Sequence, residues 1–500
     1  MFRLIALLLA FGTVMTSALP VERLMVDTGT RFQVMDNFGA NDAWTIQHIG
    51  SEWSETNKER IANLLFSTNS GIGLSCWRFN VLAGVNHRTI RDEWRTGESF
   101  ETAPGNYDWT RQAGQRWFLR AAQAHGVRQF AMTVYSPPLR LTRNGLSNSG
   151  SDTNSTTNLN PGADGAFAKY LADILRHFRD DPDPAERIDF NYVLPANEPQ
   201  WDWQDRQEGC RYSNTDLKRL YLALKARLDA TGLRTKILGL ESGAIPDMNS
   251  LNQQATARWH ADYGDYLRFI CDDSKLAACF PHILTYHSYW SDEIPGQLVP
   301  NRRTLGREMA HYPGWRLWQS EYCLMEPKRD LGMDAALRVA RVIHCDLVFA
   351  HASAWQWWLA VANGDYKDGL IYTDYHRPGD PQTIYPSKVF WALGNYSRFI
   401  RPGMVRVDVV GPESLSGLLA SAYLNPATSR TVLVLVNNTD TPQKVELNFR
   451  QKAATPEVLT PYVTSAEKSL AAGKSFPTTE GYVVPALSVV TLVGENSKNP

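Results

Sequence analysis

The strongest constraint on the fold is an alternation. From about residue 36 to residue 395, short apolar runs alternate with longer segments whose apolar residues recur three and four apart. A brief apolar run bounded by turn formers reads as a buried strand; the three-and-four spacing reads as a helix with one packed face. Strands separated by helices pair in parallel, because each crossover returns the chain to the same end of the sheet. Strands are predicted over 35–39, 73–79, 129–135, 190–194, 236–240, 282–286, 316–320 and 353–358, with helices over 56–66, 112–125, 166–178, 216–230 and 335–349. Eight such strands suit a closed barrel ringed by helices. The fold class expected is α/β, a (β/α)8 TIM barrel with an attached antiparallel β-sandwich side domain.

The texture changes after Pro402. Segments 405–410, 430–437, 444–449 and 482–492 alternate or are β-branched, with turn residues between them, as in a sandwich. Residues 22–33 alternate too and are expected to add a strand to it. The domain plan is a signal peptide over 1–18, an N-terminal strand region joining the sandwich over 19–35, the catalytic barrel over 36–395 and the sandwich over 396–500. Arg3, the apolar run 4–14 and Thr16-Ser17-Ala18 make the secretory signal. That run is too short for a membrane span, so a secreted protein is expected, with no membrane attachment once the signal is removed. Export permits disulfides among Cys76, Cys210, Cys271, Cys279, Cys323 and Cys345. Cys271 and Cys279 bracket a short polar loop and are the expected bridge; Cys76 and Cys345 lie in apolar segments and are expected to be buried thiols. Asn154, Asn395 and Asn437 each open a glycosylation sequon. Residues 144–164, rich in Ser, Thr, Asn and Gly, are expected to form a long active-site loop after the third strand.

With 51 basic against 52 acidic side chains and no long basic run, the chain lacks the footprint of a nucleic-acid binder. Its 16 Trp, 20 Tyr and 19 Phe serve the core, yet an indole face also suits the apolar C–H face of a pyranose. Two apolar runs end in glutamate: Tyr192-Val193-Leu194-Pro195-Ala196-Asn197-Glu198 and Trp315-Arg316-Leu317-Trp318-Gln319-Ser320-Glu321. They deliver carboxylates to the carboxyl ends of the fourth and seventh strands, where barrels keep their chemistry. Two carboxylates are the minimum set for breaking a glycosidic bond. No metal-ligand spacing, Walker loop or dinucleotide fingerprint is present in the sequence, so no metal and no cofactor is expected.

Several stretches together resemble glycoside hydrolase family 30. They are 36–44 (Asp-Asn-Phe-Gly-Ala-Asn-Asp-Ala-Trp), Trp77-Arg78-Phe79-Asn80, Ser136-Pro137-Pro138, Asn197-Glu198-Pro199, Tyr286-His287-Ser288-Tyr289, Gln319-Ser320-Glu321-Tyr322 and the junction 388–403. Within it, Asn41-Asp42-Ala43-Trp44, Asp92-Glu93-Trp94-Arg95 and Thr142-Arg143-Asn144-Gly145 are most similar to the endo-β-1,6-galactanase branch. Tyr135 and Leu139-Arg140-Leu141 stand where many relatives carry Trp and a Trp-Met-Lys-like run.

The resemblance implies a retaining mechanism with Glu198 as acid/base and Glu321 as nucleophile. Arg78 and Tyr289 are the expected partners of Glu321, although Arg78 also suits a purely structural ion pair. Asn197 is expected on a sugar 2-hydroxyl, and His287 as either a catalytic helper or a satisfied core histidine. Trp357 rather than Trp358 is expected as the stacking floor, because successive strand residues face opposite ways. Asp42, Trp44 and Tyr135 are further candidate sugar contacts; Trp201 and Trp203 are either outer subsites or packing. The implied partner is a polysaccharide or oligosaccharide, and the implied state a monomer. A β-1,6-glucanase, a xylanase and a non-catalytic carbohydrate-binding barrel remain alternatives.

Overall fold

The computed structural model describes residues 21–152, 154–292, 296–411, 413–452 and 455–495; the predicted signal peptide lies outside them. Eight parallel strand positions form the barrel, as expected. In chain order they are Asn37–Asn41, Cys76–Val81, Gln129–Val134, Tyr192–Leu194, the split pair Lys236–Ile237 and Gly239–Ser242, Ile283–His287, Arg316–Glu321 and Ala354–Ala362. The eighth strand returns to the first, with Ala354 opposite Asn37 and Trp357 opposite Ala40. The fifth strand closes the other side in two steps. Tyr192 and Val193 pair with Lys236 and Ile237, while Leu284 pairs with Gly239.

Every residue of the first, second, sixth and eighth strands is buried, as a parallel sheet covered on both faces requires. The predicted helices are present. The helix Asn214–Thr231 opens on a capping box, in which Ser213 and Asp216 satisfy each other's backbone donors, and it closes on Gly232 at φ +63°.

The β-sandwich packs against this barrel. The long strand Val21–Val34 lies between Val405–Val410, antiparallel to it, and Gln443–Phe449, parallel to it. The central sandwich strands Leu418–Leu424, Thr431–Asn437 and Ser488–Gly494 pair without a register break. The junction helix Lys388–Ser397 couples the two bodies. From it, Asn395 donates to the Tyr462 carbonyl and to Thr491 Oγ1, 3.0 Å each, and accepts from Thr464 Oγ1 at 2.7 Å.

The expected Cys271–Cys279 bridge is corrected, and Cys76 and Cys345 are the buried thiols expected. All six cysteines are free. The Cys279 thiol points back along its own turn to the Lys275 carbonyl (3.5 Å), and Cys271 ends a separate helix. Of the three sequons, only Asn154 presents an exposed side chain. Asn395 and Asn437 are fully buried with their amides bonded inside the sandwich, so neither can carry a glycan in the folded chain. Among the described residues no helix is long and apolar enough to cross a membrane.

Candidate active site

Glu198 sits on the loop leaving the fourth strand at φ +43°, a left-handed conformation that costs a residue bearing a Cβ roughly 1–3 kcal/mol. The turn is held from outside. The Glu198 amide donates to the Glu241 carbonyl (2.8 Å), and Trp203 Nε1 donates to the Glu198 carbonyl (3.0 Å). Gly243 must also be a glycine, because a Cβ there would lie 2.2 Å from Trp201 Nε1 and 2.9 Å from Glu198 Cδ. We therefore expect Gly243→Ala to lower kcat by tenfold or more, since a misplacement of ~1 Å can cost about 100-fold. Steady-state kinetics beside a melting curve checks this; unchanged kcat would show that Glu198 tolerates the displacement.

Glu321 ends the seventh strand and faces Glu198 across the mouth. The Tyr289 hydroxyl donates to its Oε1 (3.0 Å), and Arg78 Nη2 lies 3.8 Å from its Oε2. That Oε2 is buried and has no hydrogen-bond partner. His287 lies wholly buried between the carboxyls. Its Nδ1 is 2.8 Å from Glu198 Oε1 and 3.7 Å from Glu321 Oε1, and its Nε2 is 3.3 Å from Glu241 Oε2. A carboxylate oxygen of Glu198, one of Glu321 and a ring nitrogen of His287 all lie within 4.8 Å of one another. Three such groups can hold a metal ion, but here His287 Nδ1 and the Tyr289 hydroxyl already engage Oε1 of the two glutamates.

Glu241 is the residue that sequence reasoning missed. It ends the fifth-strand run Leu238-Gly239-Leu240, the same signal that marked the other two glutamates. It is buried against Arg78, which also bonds the Ser320 carbonyl.

The cluster thus sets three carboxyls against one guanidinium and one imidazole, and their proton affinities divide accordingly. Burial alone would raise Glu241, but Arg78 and His287 more than offset it and hold it at about 2. Burial depresses His287, yet Glu321, Glu198 and Glu241 around it lift it to about 10, so it is an imidazolium at neutral pH. Burial dominates at Glu321 and brings it to about 7, with His287 and Arg78 restraining the rise and Glu198 and Glu241 adding to it.

The cavity over these carboxyls has a volume of about 290 Å³. Trp201, Trp203 and Gln207 line it on the Glu198 side; Tyr289, Trp290, Met325, Trp358 and Asn197 complete it. Asn197 Oδ1 is buried without a partner, ready for a hydroxyl donor. Trp201 and Trp203 are therefore wall residues.

Four expected contacts are placed differently. Trp358, not Trp357, faces the cavity. The eighth strand slips against the first, with Trp357 opposite Ala40 but Leu359 opposite Asn41. Trp358 is the extra residue of that bulge, and the alternation that favoured Trp357 is broken there. Trp357 is fully buried, and its Nε1 donates to the Asp368 carbonyl (2.6 Å). Trp44 and Tyr135 stand behind Trp358 rather than in the cavity, their rings 5.2 and 5.6 Å from it. Asp42 is fully buried and accepts from the Asn80 amide and Gln115 Nε2, 2.8 Å each, which makes it a strand-end clamp. Among the described residues of the 144–164 loop none lines this cavity; the loop braces the wall from outside, through the Ser149 amide on the Trp203 carbonyl (2.8 Å).

Residues 21–372 match the model of O-glycosyl hydrolase family 30, and residues 403–492 that of the glycosyl hydrolase family 30 β-sandwich domain. A solved structure of a conserved exported protein from Bacteroides fragilis is 30% identical, with a TM-score of 0.84 over 94% of this chain and 99% of that one. The chain is also similar to glucuronoxylanase XynC of Bacillus subtilis, 29% identical over 32% of this chain and 34% of that protein. Lysosomal acid glucosylceramidase of Mus musculus is 29% identical over 32% of this chain and 31% of that protein. The matched stretch thus spans about a third of the length of these two curated relatives. With both domain models matched in order and the barrel and sandwich present, the chain belongs to glycoside hydrolase family 30.

Proposed function

We propose that the protein is a secreted, retaining endo-glycosidase that cleaves β-1,6-linked galactan by double displacement. The observation that carries the mechanism is the separation of the two mouth carboxyls, with oxygens within 4.8 Å of each other. A retaining enzyme needs carboxyls roughly 5–5.5 Å apart, whereas an inverting one needs about 6.5–9.5 Å to admit water between them.

In this reading the Glu321 carboxylate, which lines the cavity, attacks the anomeric carbon while Tyr289 holds it in place. Glu198 gives its proton to the departing oxygen, then takes one from water in the second step. His287 and Arg78 are positioning residues that favour ionised Glu321; Asn197 receives a sugar hydroxyl; Trp358 is the stacking floor. The galactan reading rests on the sequence segments 41–44, 92–95 and 142–145, and an extended cavity wall of tryptophans favours a substrate of several sugar units. Similarity to a glucuronoxylanase keeps xylan as the second reading. Incubation with arabinose-trimmed β-1,6-galactan, β-1,6-glucan and glucuronoxylan in parallel separates them. Short galacto-oligosaccharides from the first alone support the proposal; products only from xylan or glucan replace it.

Two further outcomes follow. In His287→Gln the imidazolium that restrains Glu321 is gone, so Glu321 ionises only at higher pH. The acidic limb of the kcat/KM profile therefore moves upward. An unmoved limb would remove His287 from this role. Trp358→Ala should raise KM about tenfold, since ~1–1.5 kcal/mol is a typical aromatic contact, and should also lower the melting temperature through its lost packing on Trp44 and Tyr135. Trp357→Ala should cost about 3–5 kcal/mol of stability, as emptying a buried Trp site does, and leave KM nearly unchanged because Trp357 does not line the cavity.

A further inference from the structure

The helices on either side of the seventh strand bury a charge pair that the chemistry above does not use. Arg302, from the helix Leu298–Met309, and Asp346, from the helix Met333–Val348, are both fully buried, with Arg302 Nε 2.6 Å from Asp346 Oδ1. Neither lines the cavity. Taking two charges out of water is costly, and a matched apolar pair is often as stable or more so. Stability alone therefore does not account for the pair; what its atoms hold does.

The pair grips one turn. The Tyr286 hydroxyl donates to Asp346 Oδ1 (3.1 Å) and the Ser288 hydroxyl to Asp346 Oδ2 (2.9 Å). Arg302 Nη1 donates to Ser291 Oγ (3.1 Å), whose own proton goes to the Ser288 carbonyl (2.6 Å). Successive residues of an extended chain face opposite sides. Tyr286 and Ser288 turn toward the pair, so His287 and Tyr289 turn toward the mouth, onto Glu198 (2.8 Å) and Glu321 Oε1 (3.0 Å). The Ser288 amide adds a bond to the Glu321 carbonyl (3.2 Å). Trp290 follows at φ +57°, a left-handed conformation that a residue bearing a Cβ keeps only where its surroundings over-determine it. Ser291, held by Arg302, supplies that restraint. Asp346 Oδ2 also accepts from Trp355 Nε1 (2.9 Å) on the eighth strand, three residues before Trp358. One buried carboxylate thus ties the turn that carries Tyr289 to the strand that carries the stacking floor.

We propose that the Arg302–Asp346 pair is a positioning unit for the reaction: through Ser288 and Ser291 it fixes the turn 288–291 and so keeps the Tyr289 hydroxyl on Glu321. The proposal rests on the hydrolase reading for the role of Glu321; both members act through Tyr289 rather than on the substrate.

Truncating either charged partner strands the other charge in the core and threatens the fold, so the test cuts the links instead. In the full-length Ser288→Ala/Ser291→Ala variant the pair keeps Tyr286, Trp355 and the Leu298 carbonyl as partners, and a single cooperative melting transition is expected. Backbone hydrogen exchange over 286–292 should accelerate about tenfold, as local opening becomes easier. On the glycan that the wild type cuts, kcat should fall about tenfold, since small misplacements near the reacting groups are costly. Tyr289→Phe, introduced on this background, should then cost about tenfold less than it does in the wild type, because the contact it deletes is already lost. A role in stability alone would leave the two losses additive. Unchanged exchange, unchanged kcat or fully additive losses would each overturn the positioning role. A wild type that cuts none of the three glycans would instead retire the hydrolase reading alone, with exchange still deciding whether the pair fixes the turn.

Discussion

Glu321→Ala is expected to lose activity by a factor on the order of 10⁴ or more, the scale of removing one member of a catalytic unit. Azide should then restore turnover and yield a glycosyl azide of inverted configuration. The expectation follows from where Glu321 sits. Its side chain is buried, held on one oxygen by Tyr289 and flanked on the other by Arg78. Truncation leaves a hole at the position of the attacking atom, and a small anion can fill it from solvent. The rescued reaction should be fastest on substrates with acidic leaving groups, which depart with least help from a proton donor. Activity near that of the wild type in this variant would end the nucleophile assignment.

Glu198→Ala is expected to separate substrates by their leaving groups. General acid catalysis contributes about 10²–10⁴-fold, and that factor should vanish on the natural glycan while aryl glycosides with acidic phenols lose far less in the first step. His287 and Glu241 remain in place behind the deleted side chain, so the contrast isolates proton delivery from the shape of the site. Equal losses on both substrate classes would show that Glu198 serves some other purpose.

The barrel was legible because a buried parallel strand and an amphipathic helix have different apolar periods, and their alternation runs through most of the chain. Glu198 and Glu321 were legible for the same reason, as charges terminating apolar runs. Glu241 carries the identical signal in Leu238-Gly239-Leu240-Glu241, but a strand-ending carboxylate does not by itself tell an ion-pair partner of Arg78 from a reacting group. Trp358 was not legible: its direction is set by a register slip against the first strand, a pairing between distant segments that no local period records. Asp42 misled in the converse way, since a polar residue after a strand looks like a ligand until Asn80 and Gln115 are seen to claim it. The buried sequon asparagines show the same limit, because a triplet carries no information about burial.

The strand Val21–Val34 has a consequence for the order in which the molecule can be completed. It leaves the ribosome ahead of the barrel, yet both partners, Val405–Val410 and Gln443–Phe449, come from near the other end of the chain. Until those segments appear, both of its edges are unpaired and open to the wrong neighbour. Contacts between such remote segments are also the slow ones to form. The barrel is therefore born before the first strand of the sandwich has a home, and closing the sandwich acts as a final seam that stitches remote segments of the chain together.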